Sequence, residues 1–233
     1  MRSRALRRLR DDERGVTLAE LIVAIGLLSL FISVVTGLYI SSMRAMSVGR
    51  DVHQNSAQAS NAMNEVSRVI RAGTDNPVNG QALNDPAFVK ATGQQLTIYA
   101  YINLDGSAEL PVEIDLSIAS GVLKETRWAA TLDANGYWTF PTDLVHTPPT
   151  SVRTLASTVS TAGAPVYTYL KADGSVIPVP VGGIVDPTTL RSIAAVQVAL
   201  TVQSSLTDSS QQVALQNTVG IPNLGLARSV GGS

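Results

Sequence analysis

A single carboxylate inside an apolar segment is the most unusual chemical group of the chain. Glu20 directly precedes residues 21–40, which contain no charged side chain, and the next charge is Arg44. A charged residue at the centre of a bilayer costs about 2.5–3.5 kcal/mol on insertion scales, and less near an interface. We therefore expect Glu20 to have a partner that offsets this cost.

The other residues capable of chemistry form no catalytic or metal-binding motif. His53 and His146 are the two histidines, and neither has a second ligand at motif spacing, so we interpret both as solvated. Residues 133–137 are superficially similar to a calcium loop, but the ligand pattern fails at Tyr137 and no closing glutamate follows. Residues 133–137 therefore predict a turn. Without cysteine, a phosphate-binding loop or G-x-S-x-G, the sequence favours a protein that is not an enzyme and has no metal or cofactor.

The element that must position Glu20 is a helix long enough to cross a membrane. At about 1.5 Å rise per residue, about 20 apolar residues match the roughly 30 Å hydrocarbon core of a bilayer. We assign residues 16–43 to this transmembrane part. A buried helix of a soluble protein would rarely be apolar on every face over this length.

The charge distribution predicts the orientation of this helix. Residues 1–15 contain six arginines against three acidic residues, a balance of +3, whereas residues 16–233 have 11 basic and 15 acidic residues, a balance of −4. The basic leader therefore indicates that the N-terminus lies on the cytoplasmic side of the cytoplasmic membrane and that the head lies on the other side. The acidic remainder gives no indication of nucleic-acid binding, for which a basic patch is expected.

Residues 14–40 resemble the type III signal of type IV pilins and pseudopilins. The resemblance consists of a basic leader, a glycine, a hydrophobic residue, an acidic residue five positions after the glycine and an apolar helix. It departs from the usual motif at Val16, where phenylalanine is commoner, and at Ala19, where a larger aliphatic residue is usual. These features are carried by Gly15, Val16, Thr17, Leu18 and Glu20.

The resemblance implies a processing reaction and a set of partners. A prepilin peptidase would cut between Gly15 and Val16 and methylate the new N-terminus at Val16. The carboxylate of Glu20 would then neutralise an N-terminal ammonium during fibre assembly. The implied partners are this peptidase, other pilin-like subunits, the assembly platform and the lipid bilayer, and the implied location is the cytoplasmic membrane, then a surface or periplasmic filament.

Other interpretations of the N-terminal segment explain fewer of these residues. A secretory signal peptide would place its cleavage site after the apolar segment, whereas Gly15 precedes it. A plain signal anchor explains the leader and the apolar helix but neither Gly15 nor Glu20. The alternative function is a signal-anchored surface binding or adhesive protein that stays monomeric, and the mature N-terminus distinguishes it from a pilin.

The helix is predicted to continue beyond the membrane, from about Val16 to about Ala72. Residues 44–76 form its amphipathic second half, and Gly73 begins a C-terminal stop. Small residues at spacings of three or four predict a close-packing face in the first half, at Gly26, Ser29, Ser33 and Gly37. The second half has an apolar stripe at Val52, Ala59, Met63, Val66 and Ile70 and a polar face at Arg50, Gln54, Asn61, Glu65, Arg68 and Arg71.

The remaining residues, 77–233, are predicted to form a β-rich head outside the cytoplasm. Repeated hairpins indicate an antiparallel sheet, so the fold class is α+β, and the resemblance implies the pilin-like lollipop. We expect an exposed loop at residues 147–164, which are rich in Ser, Thr and Pro. Turns are predicted at 105–107, 133–136 and 173–175, and strands at 95–102, 110–118, 122–128, 137–140, 166–171, 176–179, 190–202 and 212–219.

The size of the head favours a minor subunit near a filament tip over a repeating shaft protein. Residues 213–217 are similar to the C-terminal strand of J-type minor pseudopilins and W-type minor pilins, with Gln216 in place of an arginine. Trp128 and Trp138 could mark a surface that docks other subunits, although packing in the sheet is the commoner use of aromatics. The resemblance covers type IV pili, competence pseudopili and type II secretion pseudopili alike.

Overall fold

The structure, a computed structural model, describes residues 16–102, 110–162, 164–207 and 211–224. The chain divides into two units, Met1–Arg50 and Asp51–Ser233. Helix α1, Leu18–Arg71, begins in the first unit and ends in the second, as the sequence predicted. The leader with Gly15 and the predicted turn at 105–107 lie outside the described residues.

The described part of the first unit is an exposed helical segment. Every residue from 16 to 50 is exposed, including the apolar side chains of 21–40. No proline interrupts this stretch, and leucine, isoleucine and alanine are compatible with helix geometry. Among the described helices, α1 is the one long and apolar enough to cross a membrane.

The second part of α1 contributes one face to the core of the second unit. Ala59, Val69 and Ile70 are fully buried and Val66 is almost so, whereas Val52 is exposed. The predicted apolar stripe is therefore confirmed from Ala59 onward. Because every third or fourth residue returns to the same side of a helix, this stripe faces the sheets continuously.

The second unit contains two larger antiparallel sheets and a two-stranded ribbon. The first sheet has the order β1-β2-β3-β4-β7, the second the order β11-β10-β8-β9, and the ribbon pairs β5 with β6. A short helix, α2, spans Pro187–Leu190. The strands are β1 Phe88–Ala91, β2 Gln95–Tyr101, β3 Pro111–Ala119, β4 Val122–Ala129, β5 Thr131–Leu132, β6 Trp138–Thr139, β7 Ser151–Ala156, β8 Tyr167–Leu170, β9 Val176–Ile177, β10 Ala195–Val202 and β11 Val213–Gly220.

A single hydrophobic core joins α1 to both larger sheets. Val159 forms a β-bridge with Val202, which links the chain after β7 to β10. The hydroxyl of Tyr169 in β8 donates to the carbonyl of Thr92 at 2.8 Å, which links the second sheet to the turn between β1 and β2. The α+β class predicted from the sequence is confirmed.

Three details of the sequence prediction were wrong. Residues 147–164 are not simply an exposed loop, because β7 pairs with β4 there and Val159 is buried. The predicted strand 190–202 begins only at Ala195, because Pro187 starts α2, which Asp186 caps through the amide of Thr188. The strands form two sheets and a ribbon where one sheet was expected.

Candidate functional site

The first turn of α1 contains a reciprocal set of hydrogen bonds around Glu20. Its Oε2 accepts from the backbone amide of Thr17 at 2.9 Å and from the Thr17 hydroxyl at 3.0 Å. The amide of Glu20 donates in return to Thr17 Oγ1 at 3.2 Å. This is a capping box, in which the residue before the helix and the third helical residue satisfy each other's unpaired groups.

The capping box supplies a partner for Glu20 within its own chain. The pattern Thr-x-x-Glu before an apolar run was visible in the sequence and is the signal that could have predicted it. The carboxylate also lies at the positive end of the helix dipole, which stabilises it further. Among the described residues nothing donates to its second oxygen, Oε1, so this atom remains accessible to a cation from outside the chain.

The four small residues predicted to form a packing face are all exposed. Their spacings of three, four and four place Gly26, Ser29, Ser33 and Gly37 on one side of α1. No described atom outside the local helix backbone lies within 4 Å of a Cβ built at Gly26 or Gly37. The Ser29 hydroxyl donates to the carbonyl of Gly26 at 2.8 Å, so it needs no partner from another helix. The face is open to close approach by a second helix.

Arginines and glutamates from α1, β4 and β7 form a cluster that the sequence analysis missed. Oε1 of Glu65 accepts from Nη2 of Arg68 at 2.6 Å, from Nη2 of Arg127 at 3.1 Å and from Nη2 of Arg153. Oε2 of Glu125 accepts from Arg153 Nη2 at 2.7 Å, and its Oε1 accepts from Arg127 Nε. Three guanidinium groups therefore neutralise two carboxylates between the helix and the first sheet.

The location of this cluster corrects the prediction that Glu65 lies on a purely polar helix face. The side chain of Glu65 is 17% exposed and that of Glu125 is fully buried. The hydrogen bond from Arg68 is the main cause that lowers the pKa of Glu65 to about 2. Because the carboxylate oxygens already bind arginines, we interpret the cluster as a structural connection between α1 and β4–β7 and not as a reactive site.

The aromatic residues predicted as a possible docking surface are used mainly for packing. Trp128 is buried, and its Nε1 donates to the carbonyl of Thr147 at 3.0 Å. Phe140 stacks on Tyr99 with ring centroids 4.4 Å apart. Trp138 is half-buried in β6. The packing interpretation is confirmed for Trp128, which is too buried to belong to a docking surface.

The remaining candidates lie where the sequence placed them. His53 and His146 are both exposed, and His146 Nδ1 is 2.6 Å from Asp143 Oδ2. Asp133 Oδ1 accepts from the amides of Asn135 and Tyr137, which confirms a turn at this segment. No group of three or more His, Asp or Glu residues placed to hold a metal ion occurs in the described ranges.

Neither a protein-family model nor a curated protein matches this chain. The features that bear on function are therefore the chain's own. These are the capped start of α1, its exposed apolar segment and the surfaces of the second unit.

Proposed function

We propose that this protein is a membrane-anchored pilin-like subunit that a prepilin peptidase processes and that assembles with related subunits into a filament. The filament would be a type IV pilus, a competence pseudopilus or a type II secretion pseudopilus. The protein's role in it is structural. Its location is the cytoplasmic membrane before assembly, with the second unit outside the cytoplasm.

The observation that supports this proposal most strongly is the geometry of Glu20. Its carboxylate lies in the first turn of an exposed apolar helix, where one oxygen completes the capping box and the other accepts nothing from the described residues. An N-terminal ammonium from a neighbouring subunit could pair with the second oxygen without breaking the cap. In an environment of low dielectric such a pair attracts strongly, which offsets part of the desolvation cost.

The exposed helix supports assembly as well as anchoring. The apolar side chains of residues 21–40 need lipid or other helices around them, because exposing them to water is unfavourable in free energy. The open face at Gly26, Ser29, Ser33 and Gly37 lets a second helix approach closely, as small residues do in membranes. The same segment can thus lie in the bilayer first and in a helical bundle later.

The proposal that this is a minor subunit near a filament tip depends on the size of the head. The predicted loop at residues 147–164 no longer supports this proposal, because β7 lies within it. A docking role of Trp128 no longer supports it either, because Trp128 is buried. Quantitative proteomics of purified filaments tests the point. We expect this chain far below the most abundant pilin, and fewer filaments when it is deleted. Finding it as the dominant filament protein would overturn the minor assignment.

Mass spectrometry of the mature N-terminus tests the processing step. We expect a chain that begins with methylated Val16. Gly15→Leu should leave a precursor about 15 residues longer, because a side chain blocks close approach of the peptidase to the backbone. Val16→Phe is the matched control, since it introduces the residue commoner in this family and should still be cut. A chain that starts elsewhere would favour the signal-anchored binding protein.

Variants at the capping box separate assembly from helix capping. Glu20→Gln keeps an acceptor at the third helical position but removes the charge, whereas Thr17→Ala removes the cap and keeps the carboxylate. We expect Glu20→Gln to be inserted and cut yet not to enter sheared filaments. Thr17→Ala should still enter them, with the helix start weakened by about 1 kcal/mol. The reverse pattern would show that Glu20 serves only as a cap.

A further inference from the structure

A cleft of about 490 Å³ opens over the first sheet of the second unit. It lies between the β2–β3 pair, the β5–β6 ribbon and the segment after α1. We call it the Glu113 cleft and define it by its carboxylates and aromatic rings. These are Asp85, Tyr99, Glu113, Asp133, Tyr137, Trp138 and Phe140.

The carboxyl group of Glu113 lies in this lining without a full set of partners. Glu113 is 2% exposed, and its Oε2 is buried with no hydrogen-bond partner among the described residues. Its register neighbours are Tyr99 on β2, which is half-buried, and Trp128 on β4, which is buried. A buried carboxyl oxygen without a donor costs free energy, so the fold retains a polar group that its own residues do not satisfy.

The charge of the cleft selects the sign of a ligand. Asp85, Glu113 and Asp133 all line it, and no Lys, Arg or His occurs among its described lining residues. Burial, and then the nearby carboxylates of Glu113 and Asp85, raise the pKa of Tyr99, which indicates negative potential at the phenol. Burial, and then Asp115, likewise raise the pKa of Glu113 to about 7. A cation in the cleft would relieve this repulsion.

The walls of the cleft distinguish an organic cation from a metal ion. Tyr99 and Phe140 stack on each other, and Tyr137 and Trp138 also line the cleft. Aromatic faces attract ammonium cations, and alkyl groups pack well on them. The described residues contain no cluster with metal-ligand geometry. The volume is within the range of small-molecule sites.

We propose that the Glu113 cleft binds an organic ammonium ion, with the charge against Glu113 and the alkyl chain against Tyr99, Trp138 and Phe140. The ammonium could come from a free amine or from a lysine side chain, because both present the same group. The site is independent of filament assembly, so it stands whether or not Val16 is the mature N-terminus.

Calorimetry on the full chain in dodecyl maltoside tests this proposal. A non-ionic detergent is required, because choline head groups are themselves organic cations. The two probes are pentylammonium chloride and N-acetyl-lysine methylamide, and 1-pentanol is the neutral control. We expect saturable binding of one or both ammonium probes at least tenfold tighter than pentanol. Binding of pentylammonium would indicate that a free amine suffices, and binding of the lysine derivative alone would indicate a protein-borne group.

The pH dependence identifies the carboxylate involved. With a pKa of about 7, Glu113 is about one-tenth ionised at pH 6 and nine-tenths ionised at pH 8, so affinity should rise about tenfold over this interval. Asp115 is the charged group that acts on Glu113, Asp85 and Asp133 line the same cleft, and the Tyr99 phenol stays neutral over this interval. Alkylammonium probes keep their charge throughout.

Two variants and a matched control make the test decisive. Glu113→Gln should bind pentylammonium at least tenfold more weakly, and its binding should no longer depend on pH. Phe140→Leu should weaken binding severalfold but keep the pH dependence. Asp51→Asn, which removes an acidic charge on α1, should bind like the wild type. Near-UV circular dichroism verifies that each variant is folded. Equal binding by Glu113→Gln and wild type, or no preference for ammonium over pentanol, would overturn the proposal.

Discussion

Glu20, Glu65 and Glu113 are the same residue type in three surroundings, and each has acquired different chemistry. Glu20 accepts hydrogen bonds at the start of a helix, and Glu65 accepts them from arginines. Glu113 is buried with one oxygen unpartnered. A hydrogen-bond donor stabilises the ionised form of a carboxyl group and burial destabilises it. The pKa of Glu65 is therefore lowered and the pKa of Glu113 is raised.

Glu113 makes the folded state less stable as pH rises. Its folded pKa of about 7 exceeds the unfolded value of 4.5, so between these values the folded chain holds a proton that the unfolded chain has lost. The free energy of unfolding should therefore fall from pH 4.5 to pH 7, by about 3 kcal/mol, and level off above. Urea unfolding followed by tryptophan fluorescence measures it. Glu113→Gln should remove this dependence, and a variant that keeps it would show that another group titrates.

Glu65 should contribute stability that acid removes. Its pKa is lowered to about 2 in the folded state, so its contribution is complete above the unfolded value of 4.5 and is lost as pH falls toward 2. Glu65→Gln should lower the free energy of unfolding at pH 7 by about 1–3 kcal/mol, because three guanidinium groups lose a charged acceptor. The difference from wild type should shrink at pH 3. Asp51→Asn, on the same helix, is the control and should show neither effect.

At the scale of elements, α1 is one continuous helix whose two parts have different surroundings. Its first part is exposed on every side, whereas its last four turns bury Ala59, Val66 and Ile70 against the sheets. The helix ends where close packing requires a residue without a side chain. A Cβ on Gly73 would lie 2.5 Å from Ile98 Cδ1 and 3.3 Å from Ile221 Cγ2.

Gly73→Ala should therefore destabilise the second unit by about 1–3 kcal/mol, because the added methyl group overpacks a filled core. Gly49→Ala is the matched control. No described atom outside the local helix backbone lies within 4 Å of its Cβ position, and alanine favours a helix more than glycine by about 1 kcal/mol. Thermal unfolding of both variants measures the contrast. Equal melting temperatures would mean that Ile98 moves aside without cost.

At the scale of the whole molecule, the hydrophobic core belongs entirely to the second unit. Its members begin at Ala59 and include both larger sheets, whereas every described residue up to Arg50 is exposed. The arginine–glutamate cluster also lies wholly within Asp51–Ser233. The second unit thus contains the interactions that a domain needs to fold.

A fragment of residues 51–233 should be soluble and should unfold in one cooperative transition. The full chain should require detergent, because residues 21–40 expose apolar side chains. Differential scanning calorimetry and light scattering check the two statements. A fragment that aggregates, or that melts without a cooperative transition, would show that the first unit is needed for folding.

The sequence alone determined the features that depend on neighbours along the chain. Residues 21–40 are too apolar for anything but a membrane or a helical bundle, and the helix from about Val16 to about Ala72 follows from periodicity and the absence of proline. The strands at β2, β3 and β4 follow from alternation. Even the capping box of Thr17 and Glu20 is a local pattern.

The tertiary structure alone decided what depends on residues far apart in the chain. β7 is a strand because β4 offers it an edge, although the Ser/Thr/Pro-rich composition of residues 147–164 indicated a loop. Glu65 is sheltered because Arg127 and Arg153, more than sixty residues later, close over it. Glu113 is a buried carboxyl group that lines one cleft together with the ribbon around Trp138. Local periodicity predicts which face of a helix or strand is apolar, but it does not predict which polar groups distant residues will cover.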